Sequence, residues 1–288
     1  MLLITGATGH VGTALVHELV RRGAPARVLT RDPDRGAHLP DAVELRRGDL
    51  DEPTSLAGTF DGVERMFLLT PGIGVTMAQN ALAAAAHAGV RHVVLLSSTN
   101  VIGDPVPAMG RWHHERELLV KGSGIPWTIL RPNGFMSNAL EWIPTLAAGG
   151  YVLDATGPGR HAVIHPADIA AVAAVALTEP GHEGAAYTLT GPESSTTAEQ
   201  VATLGAVLGR ELAIREVTTA EEAVRSRFPQ GAPAPLAAAV LEAWALMRAD
   251  TVGARTDTVE RLTNHAPRTF RSWCREHADV FAEALAGR

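Results

Sequence analysis

The sequence predicts an α/β chain built on a doubly wound parallel sheet, and three observations predict it. Short apolar strand patterns alternate with helical ones over the first two-thirds of the chain, as crossover-connected parallel strands require. The first strand pattern, Leu2-Leu3-Ile4, runs straight into Thr5-Gly6-Ala7-Thr8-Gly9-His10-Val11-Gly12, a glycine-rich turn that opens a helix. The segment His92 to Leu96 is apolar almost throughout, as a strand covered on both faces must be.

The glycines of the first turn have separate tasks. Gly6 allows a tight turn off the strand, Gly9 lets backbone N–H groups approach a ligand, and Gly12 lets the new helix pack near the sheet. The helix from Thr13 to Arg22 places Leu15, Val16, Leu19 and Val20 on one face, and Gly23 ends it. Ala26 to Thr30 reads as a second strand, Val43 to Leu45 as a short third and Arg65 to Leu69 as a fourth. Thr76 to Ala88 is a helix with an alanine-rich face suited to close sheet packing, and His92 to Leu96 is the fifth strand. Trp112 to Val120 is helical, and Trp127 to Leu130 is a sixth strand ending at Arg131-Pro132.

Beyond Asn133 the alternation loosens. Ala162 to His165 and Ala186 to Leu189 read as short strands, and Pro166-Ala167-Asp168 as the cap of a helix from Ile169 to Leu177. Thr197 to Leu208, Leu236 to Met247 and Arg268 to Leu285 read as helices, with Pro229 to Pro235 a loop between two of them. The expected division is a core over residues 1–132 and a smaller, mostly helical substrate lobe over 133–288. The short strands near 162–165 and 186–189 are expected to return to the core.

A formal charge of −6, with no basic stripe, gives no electrostatic reason to expect nucleic acid as a partner. Hydrophobic residues at 46% against 19% charged describe a soluble globular protein. No apolar run of about 18 residues suggests a membrane span. The single cysteine, Cys274, fits a reducing compartment, and with no leader pattern ahead of the first strand the expectation is a cytoplasmic protein. His113 and His114 are adjacent, and no other histidine pair has helical ligand spacing beside a carboxylate, so no metal site is expected. No Gly-x-Ser-x-Gly elbow is present to support a hydrolase of that type.

Strand, glycine turn and helix in immediate succession form a Rossmann-type dinucleotide site. The helix N-terminus offers unsatisfied donors and a favourable dipole to a pyrophosphate. Gly6, Thr8, Gly9, His10, Val11 and Gly12 are the expected contacts. The second strand ends in Thr30-Arg31, where a fold that selects NAD tends to place an acid for the ribose 2′-hydroxyl. A guanidinium there suits the 2′-phosphate, so NADP(H) is preferred, with Arg35 a second candidate contact. Asp32 follows at once and can repel a phosphate or accept a ribose hydroxyl, which keeps NAD(H) open. A solvated surface side chain is the alternative for Arg31.

Further segments fit one family. With the opening turn go Gly48-Asp49-Leu50, Leu95-Leu96-Ser97-Ser98, Ser123-Gly124-Ile125-Pro126-Trp127-Thr128-Ile129-Leu130-Arg131-Pro132, His165-Pro166-Ala167-Asp168-Ile169-Ala170 and Pro267-Arg268-Thr269-Phe270. On these the chain resembles the atypical short-chain dehydrogenase/reductases of the NmrA-like, NAD(P)-binding type, over nearly its whole length. The resemblance implies Asp49 and Leu50 at the adenine edge, although Asp49 can equally cap a helix starting near Pro53. It implies Leu69, Thr70 and Pro71 along the centre of the cofactor, Ser97 and Ser98 beside the nicotinamide, and Pro132, Asn133 and Phe135 past its carboxamide. Arg131 reads better as a buried charge paired within the sheet than as a catalytic group.

Members of that family with the standard mechanism use a Tyr and a Lys four residues later on one helical face. This chain has two tyrosines, Tyr151 and Tyr187, and neither is followed by such a Lys. Counting back from Ser123-Gly124, the matching positions hold His113 and Glu117. His113 can replace Tyr as a proton donor or hold the ribose or carboxamide, with Glu117 orienting it from one turn away. The alternative is a polar helix face, which is the better reading for His114. Thr99, with Ser98 as substitute, approximates the family hydroxyl that hydrogen-bonds a substrate carbonyl.

Without the Tyr/Lys pair, hydride transfer rests on positioning and on an acceptor whose developing oxyanion is delocalised. The expected activity is NADPH-dependent reduction of a quinone or a conjugated or aromatic ketone, that is, a quinone reductase or ketoreductase. Phe135, Met136, Trp142, Trp244 and Met247 would line its apolar pocket, each with a core role as the alternative. The rival expectation, motivated by the missing pair, is a non-catalytic NAD(P)-sensing regulatory protein of the NmrA type.

Overall fold

The computed structural model describes residues 1–228, 230–249 and 253–286. In chain order its first half runs β1 (Leu2–Thr5), α1 (His10–Arg21), β2 (Ala26–Thr30), β3 (Glu44–Arg47), β4 (Arg65–Leu68), α2 (Thr76–His87), β5 (His92–Leu96), α3 (Ala108–Gly122) and β6 (Trp127–Pro132). There follow α4 (Ile143–Gly149), β7 (Tyr151–Asp154), α5 (Pro166–Thr178), β8 (Ala185–Leu189), α6 (Thr197–Leu208) and β9 (Ala213–Glu216). The chain closes with α7 (Ala220–Arg227), α8 (Ala234–Arg248), α9 (Thr258–Thr263), α10 (Phe270–Glu276) and α11 (Ala278–Ala286).

Seven strands form one sheet in the order β3-β2-β1-β4-β5-β6-β8, with every neighbouring pair parallel. The order reverses between β1 and β4, which opens a crevice outside the carboxyl ends of those strands. Alternate residues of the central strands feed two cores. Ile4, Phe67 and Val94 pack with Leu15 and Val16 of α1 and with Ile169 and Val172 of α5. Leu3, Met66 and Val93 pack with Ala78, Ala81 and Leu82 of α2 and with Val120 of α3. Burial on both faces is why these strands carry no polar alternation. Gly6 has φ +68, and a Cβ at Gly12 would lie 2.2 Å from the Gly6 carbonyl oxygen, so both positions require glycine.

The later elements divide between the sheet and a third core. β8 pairs with β6, and α5 lies on α1, so both belong to the nucleotide-binding layer. Leu146, Val152, Val201, Leu204, Phe270, Trp273 and Phe281 build the separate core of the helical lobe. The expected strand from Ala162 to His165 reduces to a single bridge between Phe135 and Ile164. Pro166 follows directly, and His165 already serves as N-cap of α5, its Nδ1 accepting from Ala167 N at 3.0 Å. That cap also corrects the expectation for Pro166-Ala167-Asp168: the helix starts at Pro166, and Asp168 accepts from Arg268 N at 2.7 Å.

Other differences are local. The expected helix from Arg268 to Leu285 breaks at His277, whose Nδ1 bonds to Trp273 O at 2.9 Å and whose ring stacks on Trp273 at 4.2 Å. Trp273 O thus takes both the backbone N–H of His277, at 3.2 Å, and its ring nitrogen, and α11 starts afresh at Ala278. Strands β7 and β9 pair as a parallel ribbon that the sequence pattern does not announce. Pro229, at the start of the expected loop to Pro235, lies outside the described residues, and Pro235 sits in the first turn of α8. Among the described residues no helix is long and apolar enough to cross a membrane, and no group of His, Cys, Asp and Glu is placed to hold a metal.

Candidate functional site: the carboxyl edge of the sheet

The glycine turn is anchored by Thr5. Its Oγ1 donates to Leu69 O at 3.0 Å and accepts from Leu69 N at 2.8 Å, tying β1 to the segment after β4. Gly9 is the N-cap of α1, with no side-chain cap and no acid in the first turn. The N–H groups of that turn are left for a ligand, and the helix dipole favours an anion. A Cβ at Gly9 would meet only the Gly6 carbonyl oxygen, at 3.5 Å, so this side of the turn is open. Gly9 and His10 are exposed and Gly6 and Thr8 half-buried, whereas Val11 packs into the core and offers only its backbone.

At the end of β2, Arg31 is exposed and without a hydrogen-bond or ion-pair partner among the described residues. Asp32 instead turns its Oδ1 onto Asp34 N at 3.1 Å and caps the short turn Pro33–Gly36. Past β3, Asp49 Oδ1 accepts from Asp51 N at 3.0 Å, while the turn Pro53–Leu56 has Glu52 as its N-cap. Asp49 therefore does not cap the Pro53 segment. Leu50 is buried in the core, with its carbonyl accepting from Asn80 Nδ2 at 2.7 Å.

The other end of the crevice is dominated by α3. Glu117 is fully buried and its oxygens are saturated. Oε1 accepts from Ser97 Oγ at 2.7 Å and Arg131 Nε at 2.9 Å, and Oε2 from Arg131 Nη2 at 2.6 Å and Lys121 Nζ at 3.3 Å. Burial works to raise the Glu117 pKa, but Arg131, Ser97 and Lys121 outweigh it and hold the carboxyl below its ordinary value. This corrects the expectation that Glu117 orients His113: its acceptors are taken by other groups. Arg131 is a paired structural charge, and the pairing runs from sheet to helix rather than within the sheet.

One residue earlier, Arg116 is buried without a carboxylate partner. Its Nε, Nη1 and Nη2 donate to the carbonyls of Gly74 (2.9 Å), Thr70 (3.1 Å) and Gly72 (2.6 Å), fixing the loop after β4. Thr70 Oγ1, in that loop, is buried with no partner. His113 stands one helical turn before Glu117, just beyond the carboxyl ends of β5 and β6. Burial, reinforced by Arg116 and opposed by Glu117, pushes its pKa down to about 4. Its Nδ1 is buried without a hydrogen-bond partner among the described residues.

Ser98 Oγ accepts from Asn100 N at 3.1 Å, and Thr99 follows in the turn Thr99–Val101. Pro132 and Asn133 close β6, with Asn133 N donating to Leu189 O at 2.9 Å. Phe135 is half-buried beside the bridge to Ile164. Two of the expected pocket residues lie elsewhere: Met136 is buried in the helical-lobe core, and Trp142 packs edge-on to Phe270 at 6.3 Å. Trp244 and Met247 are half-buried on α8, which meets α3 where Glu242 Oε2 accepts from Ala108 N at 2.9 Å. Sequence reasoning missed Arg116, because its partners are backbone carbonyls and no residue pattern marks them.

An uncapped helix N-terminus, an open face over Gly9, an unpaired Arg31 and the orphaned Thr70 hydroxyl line one edge of the sheet. These residues fit an extended dinucleotide. The NAD(P)H-binding family matches residues 6–180 of the chain. The chain is 40% identical to the (4-alkanoyl-5-oxo-2,5-dihydrofuran-3-yl)methyl phosphate reductase of Streptomyces griseus subsp. griseus, over 98% of this chain and 99% of the relative. It is 35% identical to the NAD(P)H azoreductase of Xenophilus azovorans, over 99% and 100%. Among solved structures it resembles the NADPH-dependent quinone oxidoreductase of Escherichia coli complexed with NADPH. The TM-score is 0.82 and the identity 25%, covering 97% of this chain and 100% of the other.

Proposed function

The chain belongs to the NAD(P)H-binding family of atypical short-chain dehydrogenase/reductases and is an NAD(P)H-dependent reductase, and from that premise we propose that it reduces small quinones or conjugated aromatic ketones with NADPH. The observation that carries the acceptor reading is the α3 face. Where standard members of the family carry a tyrosine and a lysine, it carries a neutral imidazole and a carboxylate saturated by Arg131, Ser97 and Lys121. No side chain there delivers a proton at neutral pH. An electron-poor conjugated acceptor needs none at the moment of transfer, because the charge it takes up is spread over several atoms. Quinones, azo groups and acyl-furanones, the acceptors named for the three relatives, are all of this kind.

Bound NADPH supplies a hydride from its nicotinamide. Gly6 to Gly12 would hold the pyrophosphate on the N-terminus of α1, and Arg31 would hold the 2′-phosphate while Asp32 caps its own turn. Arg116 keeps the loop Thr70–Gly74 in place over the centre of the cofactor. His113 would offer a ring N–H to the acceptor oxygen as a neutral hydrogen-bond donor, and Thr99 or Ser98 would add a hydroxyl from the turn after β5. The final proton comes from water. The helical lobe would cover the acceptor through Phe135 and α8, and the buried free thiol of Cys274 fits a reducing, cytoplasmic compartment.

The test is NADPH oxidation by purified protein against 1,4-naphthoquinone and a set of conjugated aromatic ketones, with NADH in parallel. Saturable turnover with a higher kcat/KM for NADPH is expected. Tight NADPH binding with no turnover across the panel contradicts the acceptor reading and favours a regulatory NAD(P) sensor.

A further inference from the structure

Arg46 and Arg47 are adjacent and both exposed, yet the structure treats them differently. On β3, Glu44 and Arg46 face one side of the sheet, where Glu44 bonds Arg27 of β2 at 2.8 Å and Arg46 at 2.6 Å. Leu45 and Arg47 face the other side, because side chains alternate along a strand. On that side Leu45 lies beneath the turn Pro33–Gly36, its Cδ2 3.2 Å from where a Cβ of Gly36 would be. Arg47 pairs in register with Thr30, the residue directly before Arg31. The register puts their Cα atoms about 5 Å apart, side by side at the carboxyl edge.

Arg47 therefore emerges beside the segment that carries Arg31 and Arg35. None of these three arginines has a hydrogen-bond or ion-pair partner among the described residues. The neighbouring acids form no ion pair with them among the described residues: Asp32 accepts from Asp34 N and Asp49 from Asp51 N. Three guanidinium groups without a protein partner on one short edge, in a chain of net charge −6, leave a local basic spot suited to an anion.

We propose that Arg47 is a further ligand for the 2′-phosphate of NADPH, approaching it from β3 while Arg31 approaches from the end of β2. The proposal rests on the reading of NADPH as reductant and adds a specificity-determining residue to it. A dianionic phosphate offers acceptors to more than one guanidinium, and the clamp discriminates against a 2′-hydroxyl, which carries no charge to hold them.

The test is calorimetric titration of the full chain with 2′,5′-ADP and with 5′-ADP, for wild type, Arg47→Gln and Arg46→Gln. Wild type is expected to bind 2′,5′-ADP more tightly than 5′-ADP. Arg47→Gln is expected to weaken 2′,5′-ADP about tenfold and leave 5′-ADP unchanged. Arg46→Gln, whose partner is Glu44, is expected to change neither. Equal binding of the two nucleotides by wild type overturns the NADPH reading and this proposal together. Wild-type discrimination that survives Arg47→Gln, or an equal loss for both nucleotides in that variant, overturns the role of Arg47 alone. Unchanged thermal unfolding of Arg47→Gln confirms that the variant reports binding and not misfolding.

Discussion

The two ends of the crevice are built on opposite principles. At the end formed by α1, β2 and β3 polar groups are left open: the first turn of α1 has no cap, and Arg31, Arg35 and Arg47 have no partner among the described residues. At the end formed by α3 they are closed on one another: Glu117 takes Arg131, Ser97 and Lys121, and Arg116 takes three carbonyls. An open group stays solvated until a ligand replaces the water, and it costs the apo fold little. A buried charge has to be satisfied by the protein itself. The first end is thus organised to recognise, and the second to hold shape.

This contrast predicts where substitutions act. Glu117→Ala strands the Arg131 guanidinium, and breaking such a buried pair costs about 3–5 kcal/mol. Urea unfolding is expected to show that loss. A stability change below about 1 kcal/mol, the level of a surface pair, would break the comparison. The next effect is acid sensitivity. The folded His113 has a pKa of about 4, below the ordinary value near 6.5, so the unfolded chain protonates first. Stability falls as pH drops from about 6.5 to about 4 and then levels, by about 3 kcal/mol from this group at most. Removing the group by His113→Gln is expected to flatten that part of the stability curve.

Gly12→Ala forces a Cβ against the Gly6 carbonyl and is expected to cost about 1–3 kcal/mol, with weakened NADPH binding. The smallest effect sharpens the contrast most. Arg31→Gln is expected to raise the Kd for NADPH about tenfold, to leave that for NADH unchanged, and to leave the Tm where it was. A lowered Tm would place Arg31 among the structural charges instead.

Local chemistry explains which parts of the fold were visible in the sequence. The strands β1, β2, β4, β5 and β6 and the glycine turn were readable because both depend on near neighbours: apolar runs for two-sided burial, and glycines where a Cβ does not fit. Strand β3, exposed over Arg46 and Arg47, was placed only by its start, and it runs Glu44–Arg47 instead of Val43 to Leu45. The ribbon of β7 and β9 was not, because β9 is exposed at all its residues and has no apolar face to betray it. The break at His277 accompanies a ring contact with Trp273 that periodicity does not encode. In the site, Arg31 follows from strand position and charge. The withdrawal of Asp32 into a cap needed the loop conformation, and the Glu117–Arg131 pair needed a helix and a strand to be brought together. His113 was reached through the family resemblance, whereas its neutral state came from burial and from Arg116.

The most direct test of reduction without a dedicated acid is the pH dependence of kcat/KM for NADPH oxidation by 1,4-naphthoquinone, between pH 5 and 9, for wild type and His113→Gln. With His113 neutral across that range, the profile is expected to be flat and the glutamine variant, which keeps an N–H donor, to retain most of the rate. A limb near pH 6–7 that disappears in the variant along with the activity would contradict the account and make His113 the proton donor.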